Sequence, residues 1–160
     1  MNKDEKKELC EDKIVDLVTD YLTTKKRGSW KKETAEQKKG HLKGVDIAIR
    51  GGQKNSEYYY IECKGKSYAK KERSRKAIDS EGWLVGLGQL VTRMQVKPNK
   101  AYKYGLGLYW KGAQVALRRI PRKIADALEL HIFAVNDDKV VKEFTPQDFG
   151  KEEYPDELFK

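Results

Sequence analysis

A chain of 160 residues is long enough for one domain with a real core, and no apolar stretch approaches the length that spans a membrane. Two cysteines and two histidines, at unrelated spacings, argue against a disulfide scaffold or a cysteine- or histidine-rich zinc site. The net charge of +9 is uneven, with eight acidic and four basic residues from position 137 onward, so the first 136 residues carry +13; such a body suits a polyanionic partner, most simply nucleic acid, although lysine-rich surfaces also serve solubility.

The N-terminus carries no hydrophobic leader, which makes a soluble cytoplasmic protein the default expectation. Residues 4–24 read as an amphipathic helix: Ile14, Leu17, Val18, Tyr21 and Leu22 follow the i, i+3, i+4 pattern. Glu8 and Glu11 lie one turn apart at its start, where acidic residues ordinarily complement the helix dipole. Residues 25–44 form a basic, structure-poor connection with Trp30 and His41, and helix formers at 33–39.

Two strands are predicted next, 44–50 and 57–64, joined by a turn of hairpin length. Alternation puts Val45, Ile47 and Ile49 on one face of the first, with Asp46 opposite. In the second, Tyr59, Ile61 and Cys63 share one face and Tyr60, Glu62 and Lys64 the other. Antiparallel pairing would bring Asp46 within reach of Glu62 and Lys64. An isolated E-x-K on a half-exposed strand is ordinarily a solvated ion pair worth about 0–1 kcal/mol; the neighbours decide otherwise only if they converge. Cys10 and Cys63 read as free thiols filling apolar space.

Residues 65–79 form a basic loop with Lys66, Lys70, Lys71, Arg73, Arg75 and Lys76. Ser80 is the expected N-cap of a helix over 81–96 that ends before Pro98. Its core stripe is Trp83, Leu87, Leu90 and Met94 with Leu84 and Val91 beside it. Another face reads Gly82, Gly86, Gln89, Arg93, and glycines inside a helix call for the close approach of something else. A third strand, Tyr102 to Trp110, carries Gly105-Leu106-Gly107, the mark of a central strand crossed closely by a helix. A short helix over 113–120 and another from Arg122 to Glu129, with Ile124, Ala125 and Leu128 inward, enclose a second basic cluster that includes Arg118 and Arg119. His131 to Val135 and Lys139 to Phe144 are the last strands, and 145–160 is a polar, peripheral tail of the single domain 1–160.

The order helix, strand, strand with E-x-K, helix, strand, helix, strand resembles the PD-(D/E)xK nuclease superfamily. Asp46 matches the first acid, with Val45 in place of the family's proline; Glu62-Cys63-Lys64 matches the second half; Gln89 and Glu11 (or Glu8) match the helix residues of several branches. The resemblance implies an α/β, restriction-endonuclease-like domain: a central mixed sheet of four to five strands flanked by helices, in the order α-β-β-α-β-α-β. It also implies a Mg²⁺-dependent endonuclease, with Mn²⁺ as a substitute, acting most readily on DNA and leaving 5′-phosphate ends. Asp46, Glu62 and the Cys63 backbone carbonyl would hold the metal, with Glu11 behind them. Lys64 could orient water, act as base or stabilise charge on the phosphate, and Gln89 could position it. Lys66, Lys70, Lys71, Arg73, Arg75, Lys76, Arg93, Arg118 and Arg119 are candidates to contact nucleic acid, and a homodimer fits an enzyme that cuts both strands. The alternative is a non-catalytic nucleic-acid-binding protein or subunit using the same basic surface.

Overall fold

The computed structural model describes residues 9–25, 31–32, 45–51, 57–66, 72–94 and 101–160. Helix α1 (Glu11–Asp20) runs into a π-helical turn (Tyr21–Lys25), followed by β1 (Lys31–Lys32), β2 (Ile47–Gly51) and β3 (Glu57–Lys64). Then come α2 (Glu72–Thr92), β4 (Ala101–Tyr109), α3 (Trp110–Arg119), α4 (Arg122–Leu128), β5 (Leu130–Val135) and β6 (Val141–Phe144), with 3₁₀ turns at Pro146–Asp148 and Asp156–Phe159. Glu8, Trp30, His41, Lys70, Lys71 and the side chains of Arg75 and Lys76 lie outside the described residues.

The strands lie side by side in chain order. β1, β2 and β3 are antiparallel, β3, β4 and β5 parallel, and β5 and β6 antiparallel. Each parallel step needs a crossover, which α2 supplies once and α3 with α4 the second time. The expected mixed α/β sheet flanked by helices is therefore present. β1 is an addition, a two-residue strand within the stretch read as structure-poor.

Each face of the sheet has its own core. On one, Leu90 of α2, Ala113, Ala116 and Leu117 of α3 and Ala125 of α4 cover Tyr58, Tyr60, Tyr104 and Leu106. On the other, Ile14 and Val18 of α1, with Leu22, cover Ile47, Ile49, Tyr59, Ile61 and Cys63. β3 is consequently buried on both faces along most of its length, as strands inside a layered α/β domain are. Its E-x-K is no solvated surface pair: Glu62 is 1% exposed.

Glycine makes the α1 face possible. A Cβ on Gly107 would clash first with Cys63 Sγ of the neighbouring strand, at 2.6 Å, and would press on Ile14 Cγ2 of α1 at 3.3 Å, so α1 is the helix that crosses this strand closely. Gly107→Ala should cost about 1–3 kcal/mol through overpacking. At Gly88 of α2 a Cβ meets nothing within 4 Å. Gly88→Ala should gain about 0.5–1 kcal/mol, because alanine loses less backbone freedom in a helix. Urea unfolding of both variants checks the pair: opposite signs are expected, and a Gly107→Ala protein as stable as the unmodified chain would contradict the close packing at Gly107.

Several local expectations are corrected. α2 begins at Glu72, not after Ser80; Glu72, Arg73, Arg75, Lys76 and Ala77 are all good helix formers, and their summed preference overrides the cap-like Ser80. Leu84 and Val91, placed beside the core stripe, are more than half exposed or close to it, at 57% and 50%. Ile124 also faces out while Ala125 is buried. Val45 packs with Ala48 and not with Ile47 and Ile49, because the chain bends at Asp46 and alternation begins only at Ile47. Trp110 opens α3 instead of closing β4. The tail 145–160 is anchored: Phe149, Tyr154 and Phe159 are buried in the larger core.

Candidate active site

The ends of β2 and β3 bring the predicted acidic and basic groups together. The antiparallel register pairs Ile47 with Ile61, so one step further places Asp46 opposite Glu62. At that step the ladder stops, and the Asp46 carboxylate takes over: Oδ2 accepts the Cys63 N–H at 2.7 Å. The N–H and C=O of one strand residue point to the same side, so the Cys63 carbonyl opens toward Asp46 as well. The Cys63 thiol points the other way, fully buried in the α1 core. Burial, followed by the carboxylates of Asp46, Glu11 and Glu62, pushes that thiol well up, against the pull of Lys64. It is a neutral core group.

Glu62 and Lys64 share the α2 face of β3. Glu62 is paired with the Arg93 guanidinium, which is itself a quarter exposed, at 26%. Burial raises the Glu62 carboxyl; the Arg93 hydrogen bond opposes this, the Asp46 charge adds to it, and the net shift is upward. The Lys64 stem runs along the glycine face of α2. A Cβ on Gly82 would lie 3.6 Å from Lys64 Cβ, and one on Gly86 3.5 Å from Lys64 Cγ. The glycines thus face the lysine stem, and at these distances a methyl group at either position would make ordinary contact with it. At the far end of that stem, Nζ donates to Glu11 Oε2 at 3.2 Å, reaching round the end of the sheet to the start of α1.

Gly65 allows this reach. A Cβ there would stand 2.4 Å from Glu11 N and 2.5 Å from Cys10 C, and the Lys66 N–H donates to Leu9 O at 2.8 Å. The first turn of α1 is therefore pressed directly onto the turn that follows Lys64. Gly65→Ala must push the two apart; the expected result is a loss of about 1–3 kcal/mol together with a displaced Glu11. Guanidinium unfolding and the thermal midpoint check this, and an unchanged midpoint would contradict the contact.

Gln89 is the remaining predicted member. Its Oε1 is buried and has no hydrogen-bond partner among the described residues, a state that calls for a donor. Glu11, Asp46, Glu62 and Lys64 are thus gathered at one end of the sheet, with Gln89 on the helix that covers Glu62 and Lys64. Arg93 joins them as the partner of Glu62, a placement that its spacing of one helical turn from Gln89 anticipated only in part.

The basic candidates separate into groups. Lys66 is tied down: Nζ lies 3.0 Å from Asp137 Oδ1 and 4.9 Å from the centre of the Tyr109 ring. Tyr109 Oη and Trp110 Nε1 donate to the same Asp137 carboxylate at 3.2 and 3.1 Å. Partial burial works to lower the Lys66 ammonium and is the largest single influence, but the Asp137 hydrogen bond and charge together with Tyr109 outweigh it and the net shift is upward. This anchor was not foreseen, since Asp137 is 71 residues distant in sequence from Lys66. Arg73 is exposed in the first turn of α2, and since Gly82 already lies against the last residue of β3, the helix before it runs on past the strand end. Arg118 and Arg119 do not join the site. α3 starts at the site end of β4 and carries them to its last turn, a helix length of about 15 Å away. There Arg118 borders a hollow of about 300 Å³ with Glu152 and Glu153.

Two carboxylates and a backbone oxygen make a donor set for a hard divalent cation that keeps most of its own waters. Among the described residues no three or more His, Cys, Asp and Glu side chains gather to hold a metal by themselves; two carboxylates with one backbone oxygen are the kind of donor set that suits a largely hydrated Mg²⁺ or Mn²⁺. No helix among the described residues is long and apolar enough to cross a membrane. Comparison of the chain with family models, with curated proteins and with solved structures gave no match.

Proposed function

We propose that the protein is a metal-dependent nuclease that hydrolyses DNA phosphodiester bonds within a strand, leaving 5′-phosphate ends. The observation that carries this reading is the convergence of Asp46, Glu62 and Lys64 at one sheet end, with the Asp46 carboxylate on the Cys63 N–H and Lys64 steadied by Glu11. The resemblance to the PD-(D/E)xK nucleases, carried by these same residues, supplies the reaction class.

Asp46, Glu62 and the Cys63 carbonyl would hold the cation, which when bound supplies Lewis acidity to the phosphate and hydroxide at neutral pH. Lys64 presents an ammonium at the open end of β3, where it donates hydrogen bonds to the attacking water and to the phosphate oxygens as charge builds on them. Glu11 fixes the direction of that ammonium. Gln89, whose buried Oε1 has no partner among the described residues, accepts a hydrogen bond from the water or from Lys64. Arg73 and the basic residues beside it on α2 carry the phosphate backbone, a contact that sets affinity and not sequence.

The test is incubation of supercoiled plasmid, linear duplex, branched DNA and RNA with Mg²⁺ or Mn²⁺, using the unmodified chain beside Asp46→Ala and Lys64→Ala. Nicking that needs metal and is lost in both variants is the expected result. A second reading, binding of nucleic acid without cleavage, is favoured by one observation: Glu62 and Lys64 are each already engaged in an ion pair. Salt-sensitive binding with no nicking under either metal would establish it and end the nuclease reading.

A further inference from the structure

Resting on the nuclease reading, we infer that Arg93 is the group a divalent cation must displace: its guanidinium occupies the metal-facing Glu62 carboxylate and yields it when the ion enters. The pair has the anatomy of an exchangeable plug. Glu62 is a buried carboxyl group, 1% exposed, and a carboxylate withdrawn from water needs a cation beside it. Arg93 is the cation that meets it, through Nη1 on Oε1. Lys64, the other cation on that face of β3, is turned away to Glu11, and Asp46, the other carboxylate, is taken up by the Cys63 N–H.

Arg93 is also the member best placed to leave. It lies just beyond the last residue of α2, in the turn where its N–H bonds to Leu90 O at 3.0 Å, and a quarter of its side chain already meets solvent. A guanidinium and a divalent cation on one carboxylate repel each other at low local dielectric, so the two occupy Glu62 in turn and not together. Metal loading is therefore weaker than the donor set alone would give, and each ion that binds sets free one arginine beside the reacting phosphate. Arg93 acts here as a positioning residue on the metal, through Glu62.

The experiment is Mn²⁺ binding to the full chain without nucleic acid at pH 8, followed by the free-ion electron paramagnetic resonance signal, for the unmodified chain, Asp46→Asn, Arg93→Met and Arg93→Lys. Arg93→Met should bind Mn²⁺ about tenfold or more tightly than the unmodified chain, since a charge-assisted competitor is gone, and Arg93→Lys should fall between. Binding in the unmodified chain that Asp46→Asn abolishes, but that Arg93→Met leaves equal or weaker, overturns the exchange while leaving the metal site standing. Binding seen in Arg93→Met alone supports it most directly. Absence of saturable binding in every protein overturns both this inference and the metal-dependent reading. If Arg93→Met and Arg93→Lys do not fold, the unmodified chain decides: the Arg93 Nε–Hε resonance should move on saturation with Mg²⁺, and an unmoved resonance overturns the exchange.

Discussion

Lys64→Ala should reduce metal-dependent nicking by about 10²–10⁴-fold, the range that a positioned proton-transfer or charge-stabilising group supplies. Duplex binding should change far less, with the salt slope reduced by about one phosphate contact at most. The reasons are geometric. Lys64 is the last residue of β3, its stem lies against Gly82 and Gly86, and its ammonium is held at 3.2 Å by Glu11. Arginine in its place should not restore activity, because a planar fork cannot follow the same path or present the same point charge. Glu11→Gln keeps the shape but removes the charge that directs Nζ, so an intermediate loss of about 10–100-fold in kcat is expected, with KM little changed. Single-turnover cleavage of a labelled duplex separates these effects. A Lys64→Ala protein that nicks at the unmodified rate would remove the lysine from the reaction.

Arg93→Ala should destabilise the fold by about 2–4 kcal/mol at pH 7.5, because it strips a buried carboxylate of its partner. The loss has a ceiling. Glu62 can take up a proton instead, which limits the cost to about 1.4 kcal/mol for each pH unit above the ordinary glutamate range, or about 4 kcal/mol at pH 7.5. The pH dependence follows in sign. The folded Glu62 carboxyl lies above its ordinary value, with burial and Asp46 raising it and Arg93 and Lys64 lowering it. A group raised on folding contributes stability that is complete below the unfolded value and is lost as pH rises through the folded one. Glu62→Gln should accordingly equal or exceed the unmodified chain in stability at pH 7.5, and that advantage should vanish as the pH falls into the ordinary glutamate range. The Arg93→Ala deficit should shrink over the same interval. Urea unfolding at several values between pH 5 and 8 measures both, and a deficit that does not vary with pH would place its source elsewhere than Glu62.

These two results bear on different parts of one site. Loss of nicking in Lys64→Ala with intact folding isolates the reaction, whereas the Arg93 and Glu62 variants report how a buried charge is kept in a fold. Gly65 links them. It lets the start of α1 rest on the turn after β3, and so brings Glu11 to a lysine 53 positions away.

Much was legible in the residues themselves. Alternation placed Glu62 and Lys64 on one face of β3 and Cys63 on the other, because a strand repeats every two residues whatever surrounds it. The 3.6-residue period pointed to Ile14, Leu17, Val18, Tyr21 and Leu22, of which Ile14 and Val18 of α1 and Leu22 in the turn after it are fully buried, and the same spacing set Gln89 and Arg93 one turn apart beyond two glycines. The helix start at Glu72 was not legible, because Ser80 mimics a cap while the basic residues before it favour helix equally well. Tertiary structure alone decided the register that sets Asp46 opposite Glu62, the reach of Lys64 to Glu11, the pairing of Arg93 with Glu62 and the capture of Lys66 by Asp137. Each joins residues far apart in the chain, where local preference carries no information. The strand's own period determined which side chains could act together; the packing of α1 and α2 around its end decided which charges they meet.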